Sequence, residues 1–196
     1  MNNDFKYIEK YAEEHNIPIM EKSGINFLTK YIKENNIKNI LEIGSAIGYS
    51  AIKMALVDER IKITTIEKND SRYLEALKNI KNFNLEKQIT LVLADALDIE
   101  LSEQYDLIFI DAAKGQYIKF FEKFKKNLKK SGVIISDNIM FHGYVEKKER
   151  IESKNLRQLV NKIKNYIDFL EKNDEFDTIF YKIGDGISVS KRSINE

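Results

Sequence analysis

Apolar positions along this chain switch between two periods, one helical and one extended. Phe5, Ile8 and Ala12 space a first helix that ends near Asn16 and Pro18. Ile25, Leu28, Tyr31 and Ile32 space a second, before the Asn35-Asn36 break. Short apolar runs then alternate with amphipathic stretches. The runs predict strands over residues 39–43, 61–67, 89–93, 106–111 and 133–137. Between them fall a helix over 50–56, a helix with Tyr73, Leu77 and Ile80 on one face, and a helix carrying Tyr117, Phe120, Phe121, Phe124 and Leu128. Ser131-Gly132 is expected to stop the last of these. A long helix follows, with Leu156, Leu159, Val160, Ile163, Ile167 and Leu170 turned inward. Two strand-like runs, 178–183 and 187–190, close the chain around Gly184-Asp185-Gly186, a turn short enough for an antiparallel hairpin. Strands alternating with helices predict a doubly wound α/β sheet, mostly parallel, with that hairpin at its C-terminal end.

Composition narrows the possibilities. A chain of 196 residues suits one domain over 1–196, with no Pro/Gly/Ser linker, repeat or low-complexity stretch to divide it. Lys and Arg total 32 against 31 Asp and Glu, so any basic surface must be local. Without cysteine, disulfides and thiolate metal sites are excluded, and two histidines make a poor basis for zinc. No apolar run approaches membrane-spanning length, and the first ten residues do not read as a signal peptide, so a soluble cytoplasmic protein is expected. The longest polar connection, 141–152, should overhang whatever lies beyond the strand ending at Asp137.

The candidate chemistry sits at strand C-termini, the edge where open parallel sheets bind ligands. The first strand runs into Glu42-Ile43-Gly44 and a turn to Gly48-Tyr49-Ser50. Its G-x-x-x-G spacing is not the dinucleotide fingerprint, and Glu42 would repel a pyrophosphate but attract an ammonium group. Glu67 ends the second strand about 20 residues on, where an acid hydrogen-bonds ribose hydroxyls in this architecture. Asp95 follows the third strand and suits either an adenine edge or a helix cap. Asp111 with Lys114, and Asp137 with Asn138, come from two further strand ends. Two aspartates and an amide are an oxygen-only set suited to Mg²⁺ or Ca²⁺. Lys114 can reach the same volume, where burial or a metal would lower its pKa and let it act as a base.

These blocks resemble the cation-dependent class I S-adenosylmethionine O-methyltransferases, the group containing catechol and caffeoyl-CoA methyltransferases. The resemblance is carried by L-E-I-G-S-A-I-G-Y-S at 41–50, T-I-E at 65–67, A-D-A-L at 94–97, F-I-D-A-A-K-G-Q-Y at 109–117 and S-D-N at 136–138. Within the group, Y-A-E-E-H-N-I-P-I-M-E-K at 11–22, I-G-Y-S-A-I-K-M-A-L at 47–56 and G-D-G at 184–186 look most like the bacterial tRNA 5-hydroxyuridine methyltransferases. The resemblance implies a Rossmann-like methyltransferase sheet, with S-adenosyl-L-methionine held by Met20, Gly44, Ser50, Glu67, Asp95 and Asp111. Glu42 would support the methionyl end. Asp111, Asp137 and Asn138 would hold Mg²⁺, and Lys114 matches the family's proposed base. A homodimer is also implied, although many relatives carry a further N-terminal helix ahead of the first matching block.

The acceptor that such a site implies has two neighbouring oxygens. Both 5-hydroxyuridine of a tRNA anticodon loop and a catechol-like or hydroxycinnamoyl molecule satisfy that. Phosphate contacts for tRNA could come from Lys147, Lys148, Arg150, Lys154, Arg157, Lys162 and Lys164, with Lys191 and Arg192 adding to them, though such runs also occur as solvated helix faces. Phe141 and Tyr144 are placed to stack on an unpaired base; His142 between them is given no role. A non-catalytic nucleotide- or partner-binding module is the alternative of another class.

Overall fold

The computed structural model describes residues 4–140, 143, 145 and 153–193. Helix α1 (Phe5–Glu14) starts where the Asp4 carboxylate accepts from the Lys6 N–H at 2.9 Å, and it buries Ile8 and Ala12. Helix α2 (Lys22–Glu34) buries Ile25, Leu28 and Ile32. Then follow β1 (Asn39–Ile43), α3 (Tyr49–Ala55), β2 (Lys62–Glu67), α4 (Asp70–Asn82), β3 (Ile89–Leu93) and β4 (Tyr105–Ile110). A 3-10 turn (Lys114–Gln116) leads into α5 (Tyr117–Phe124), and β5 (Leu128–Asp137), α6 (Lys154–Glu171), β6 (Phe176–Tyr181) and β7 (Ile187–Arg192) complete the order.

One seven-stranded sheet runs β3-β2-β1-β4-β5-β7-β6. Strands β1 to β5 pair in parallel and β7 inserts antiparallel between β5 and β6. Alternate residues of the central strands face opposite layers, as the pleat requires. Ile40, Leu107, Phe109, Val133 and Ile135 pack with α1, α2 and α3 on one side. Leu41, Ile43, Ile108, Ile110 and Ile134 pack on the other with Tyr117, Phe121, Tyr166 and Phe176. Both faces are therefore covered, and β1 and β4, which meet along Ile40–Leu107 to Ile43–Ile110, form the sheet centre.

Four local expectations are corrected. The helix through Phe124 does not continue to Ser131-Gly132. A 3-10 turn ends it, because the Asn127 amide donates to the Leu101 and Glu103 carbonyls at 2.8 and 3.0 Å, and Leu128 instead pairs with Tyr105 in the sheet. On α4 the buried face is Ala76, Asn79 and Ile80, leaving Leu77 44% exposed. Asn79 turns inward because its amide donates to the Ile47 carbonyl at 3.0 Å, tying α4 to the glycine turn. On α6 Tyr166 is buried where Ile167 was expected, its hydroxyl 2.7 Å from Ser136 Oγ. The closing strands lie earlier for β6 and extend later for β7 than predicted, with Tyr181 paired to Ile187. The expected overhang, with Phe141, His142, Tyr144, Lys147, Lys148 and Arg150, lies outside the described residues.

Candidate active site

The tips of the five parallel strands and the segment after α1 enclose a cleft of about 250 Å³. At the end of β1 the chain turns under Gly44, whose φ of +99° is open to glycine, and the Gly44 and Ser45 N–H groups donate to the Ile66 carbonyl at 3.0 and 3.1 Å. A Cβ on Gly44 would overlap the Asp111 carbonyl oxygen, so the β1 and β4 tips approach as closely as backbone permits. Gly48, at φ +83°, then starts α3.

Beneath this turn lies Glu42, fully buried. The Ser50 and Thr65 hydroxyls donate to its two carboxylate oxygens. Burial pushes its pKa up from 4.5 to about 7, the two hydroxyls oppose that shift, and the Asp111 and Glu67 charges add to it. Ser50 thus meets Glu42 in the floor and does not itself line the cleft. Because this pKa is raised on folding, the associated stability is complete below the ordinary carboxylate range and is lost as pH rises through about 7. Glu42→Gln removes the charge, keeps an acceptor oxygen for one hydroxyl and offers an N–H to the oxygen of the other. It should gain stability over the wild type between pH ~5 and ~8, reaching about 3 kcal/mol at the alkaline end. Parallel melting-temperature curves for the two proteins across that interval would contradict this.

Glu67 ends β2 at the cleft wall. Its Oε2 accepts from the Ala46 N–H at 2.8 Å, and its Oε1 from the Lys68 and Asn69 N–H groups at 3.0 and 2.9 Å. A carboxylate has about four acceptor positions, so Oε2 retains room for one further donor. Asp95 lines the wall beyond β3; its Oδ1 accepts from the Leu97 N–H at 3.0 Å, and Lys68 Nζ lies 3.5 Å from its Oδ2. Met20 lines the cleft together with Pro18 and Ile19.

Asp111, Lys114, Asp137 and Asn138 all line the same cleft. Burial raises the Asp111 pKa to about 6, opposed by the Lys114 charge. Burial raises that of Asp137 to about 8, and the negative Asp111 nearby adds to the shift. Lys114 is pushed down by burial, against the charges of Asp111, Asp185 and Asp137. Asn138 takes the left-handed φ of 66°, and its Oδ1 is buried with no hydrogen-bond donor. A buried carboxylate (Asp137) and a half-buried one (Asp111) beside an orphaned amide oxygen are a donor set in want of a hard cation, and the residues fit Mg²⁺. Among the described residues no cluster of three His, Cys, Asp or Glu side chains offers another metal site.

The β5 tip is held from behind. Tyr117 donates to the Asp137 carbonyl at 3.1 Å, and its ring stands edge-on to Tyr166 at 5.2 Å. The hairpin turn closes against the same tip: the Ile139 and Met140 N–H groups donate to the Gly186 and Asp185 carbonyls at 3.1 and 2.8 Å. Asp185, in the sequence a turn residue within the G-D-G block and assigned no place in the site, acts by its charge on Lys114 and Asp137. Lys68, Arg72, Gln116 and Phe120 also line the cleft without having been singled out. Gln116 and Phe120 stood within a recognised block and helix face; Lys68 and Arg72 carried no signal beyond following Glu67.

Comparison with known proteins points to one family. Residues 4–193 match the O-methyltransferase family. The tapetum-specific methyltransferase 1 of Arabidopsis thaliana is 30% identical over 196 residues, covering 95% of this chain and 83% of the relative. A caffeoyl-CoA O-methyltransferase of Populus kitakamiensis is 28% identical, covering 94% and 82%. A Staphylococcus aureus crystal structure, provisionally named as a caffeoyl-CoA O-methyltransferase, superposes with a TM-score of 0.92 at 36% identity, covering 98% of this chain and 93% of that one. With a family match along nearly the whole described chain, and with the strand order and loaded sheet edge described above, this protein belongs to the O-methyltransferase family.

Proposed function

We propose that the protein transfers the methyl group of S-adenosyl-L-methionine, with Mg²⁺, to one oxygen of a vicinal oxygen pair, and that its acceptor is the 5-hydroxyl of 5-hydroxyuridine at the tRNA wobble position. The observation that carries the chemistry is the set Asp111, Asp137 and Asn138 lining one cleft with Lys114, the Asn138 Oδ1 buried without a donor. The Bacillus cereus O-methyltransferase of the same fold was crystallised with S-adenosylhomocysteine (TM-score 0.82, 23% identity), which supports the cofactor reading.

In this reading Met20 and the Gly44 turn hold the methionyl part of the cofactor, with Ser50 and Glu42 stiffening the floor beneath. Glu67 accepts from the ribose, and Asp95 lies at the adenine end. Asp111, Asp137 and Asn138 hold Mg²⁺. Bound there, the metal would lower the pKa of the acceptor hydroxyl, while the cofactor supplies an electrophilic methyl group. Lys114, its pKa lowered by burial, takes up the departing proton at Nζ or balances the resulting oxyanion. Tyr117, Phe120 and Ile43 keep the surroundings apolar, which favours a step in which a cationic sulfur and an anionic oxygen cancel.

The tRNA reading is supported by α6. Lys154, Arg157, Lys162 and Lys164 are exposed on it, and the Lys162 stem crosses Gly115, with Nζ 3.2 Å from where a Gly115 Cβ would stand. A cation therefore lies against the turn that carries Lys114, outside the cleft lining, and suits a phosphate. The names of the plant relatives favour the second reading, a small catechol-like or hydroxycinnamoyl acceptor. Incubation with labelled cofactor, Mg²⁺ and tRNA containing 5-hydroxyuridine should yield 5-methoxyuridine. Lys162→Glu combined with Arg157→Glu should lower kcat/KM for tRNA about tenfold and leave a catechol unaffected. Efficient catechol turnover with no label entering tRNA would establish the small-molecule reading instead.

A further inference from the structure

We propose that Gln116 reads the exocyclic amine of the cofactor's adenine and makes the cleft selective for a 6-aminopurine; this rests on the S-adenosylmethionine reading above. The inference starts from an orphan. Gln116 lines the cleft, and its Oε1 is buried with no hydrogen-bond donor. A buried acceptor left this way costs about 1–3 kcal/mol, which a donor on the bound ligand recovers.

Its place on the helix says which part of the ligand that donor belongs to. The 3-10 turn is closed by the Gln116 N–H donating to the Ala113 carbonyl at 2.8 Å. Lys114 and Tyr117, three residues apart, share the side facing Asp137, to whose carbonyl the Tyr117 hydroxyl donates. Gln116, Phe120 and Lys123 follow at steps of four and three, which puts them on one different face. That face meets the segment after β3: Lys123 Nζ donates to the Leu97 carbonyl at 2.7 Å, and Phe120 belongs to the same apolar cluster as Ala96. Gln116 therefore looks toward Asp95, away from the metal-binding tips. Asp95 is engaged by the Leu97 N–H and by Lys68, so the Gln116 carbonyl is an acceptor on that wall still lacking its donor. Adenine brings an amine with two N–H bonds to this end of the cleft. A 6-oxo purine brings a carbonyl, which would face the Gln116 oxygen lone pair to lone pair. Gln116 lines the cleft, and rotation of its terminal torsions would present the carbonyl to a bound ring without moving the backbone.

The test uses binding alone, by calorimetry on the full chain without acceptor. S-adenosylhomocysteine is compared with S-inosylhomocysteine, its 6-oxo analogue. The wild type should prefer the adenosyl compound by roughly tenfold or more, and Gln116→Leu should bring that ratio close to one, chiefly by weakening the adenosyl compound. Gln116→Met, of similar length but without the carbonyl oxygen, should lose the preference likewise and decides the matter if the leucine variant fails to fold; Gln116→Glu, which keeps an acceptor, should retain it. An unchanged ratio in folded Gln116→Leu overturns the assignment while leaving the cofactor reading intact. Failure of the wild type to bind S-adenosylhomocysteine at all removes both.

Discussion

Replacing Asp137 with Asn is expected to cut methyl transfer by about 10³-fold or more, while the protein melts no lower than the wild type in metal-free buffer. The two halves of this result have one cause. Asp137 is buried beside Asp111, and its pKa is raised to about 8, so the fold tolerates its negative charge poorly. Removing the ionisable group gives up an attraction to Lys114, but it relieves the larger cost of burial and the repulsion with Asp111. The charge is retained because a divalent cation needs it: without it, Asp111 and the Asn138 carbonyl remain, a set too weak to hold Mg²⁺ against water. Addition of Mg²⁺ should raise the melting temperature of the wild type, most at pH near 8 where both carboxylates ionise, and should leave the variant unmoved. Turnover of labelled cofactor and metal-dependent melting, measured side by side, check both halves. Undiminished turnover would remove the metal assignment, whereas lost activity with a collapsed melting transition would show that Asp137 works as a structural residue.

Gly44→Ala should be the most damaging single-methyl change in the chain. Two costs add. The φ of +99° is disfavoured for a residue with a Cβ, and that Cβ would overlap the Asp111 carbonyl oxygen and stand 3.0 Å from Ala112 Cα. Both obstacles are backbone, so no side chain can swing aside. Strain and overpacking together predict a loss of about 3–5 kcal/mol, or roughly 10 °C in melting temperature for a chain of this size. Gly48→Ala isolates the first cost. Its φ is +83°, but its Cβ would meet Ala76 at an ordinary 3.5 Å, so a loss of only about 1 kcal/mol is expected. Equal destabilisation of the two variants would show that the approach of β1 to β4 carries no special constraint. Because Gly44 borders the cleft, its variant should also lose cofactor binding.

Much of this was legible in sequence because it depends on local period. Runs such as Leu107–Ile110 and Val133–Ile135 are too short and too apolar for surface helices, and a chain alternating them with amphipathic helices has few ways to cover both faces of a sheet. The acids at their ends stood out because a strand C-terminus is one definable place in such a run. What was misread depends on partners distant along the chain. Asn79 faces inward because the Ile47 carbonyl awaits it, and α5 stops at Phe124 because Asn127 is held by the connection before β4. Tyr166 displaces Ile167 from the core because a hydroxyl on Ser136 makes a buried phenol affordable.

The amino-acid order by itself determined the α/β class, the closing hairpin and the ranks of Glu42, Glu67, Asp95, Asp111 and Asp137 along one sheet edge. Each of these follows from side-chain alternation and chain direction within a single element. Tertiary structure alone decided that Glu42 and Ser50 form a floor, that Asp185 adds its charge to Lys114, and that the Gln116 amide oxygen is buried at the cleft without a donor. These outcomes rest on through-space distances between segments from 8 to over 70 residues apart, where burial and electrostatics act and the local pattern carries no information.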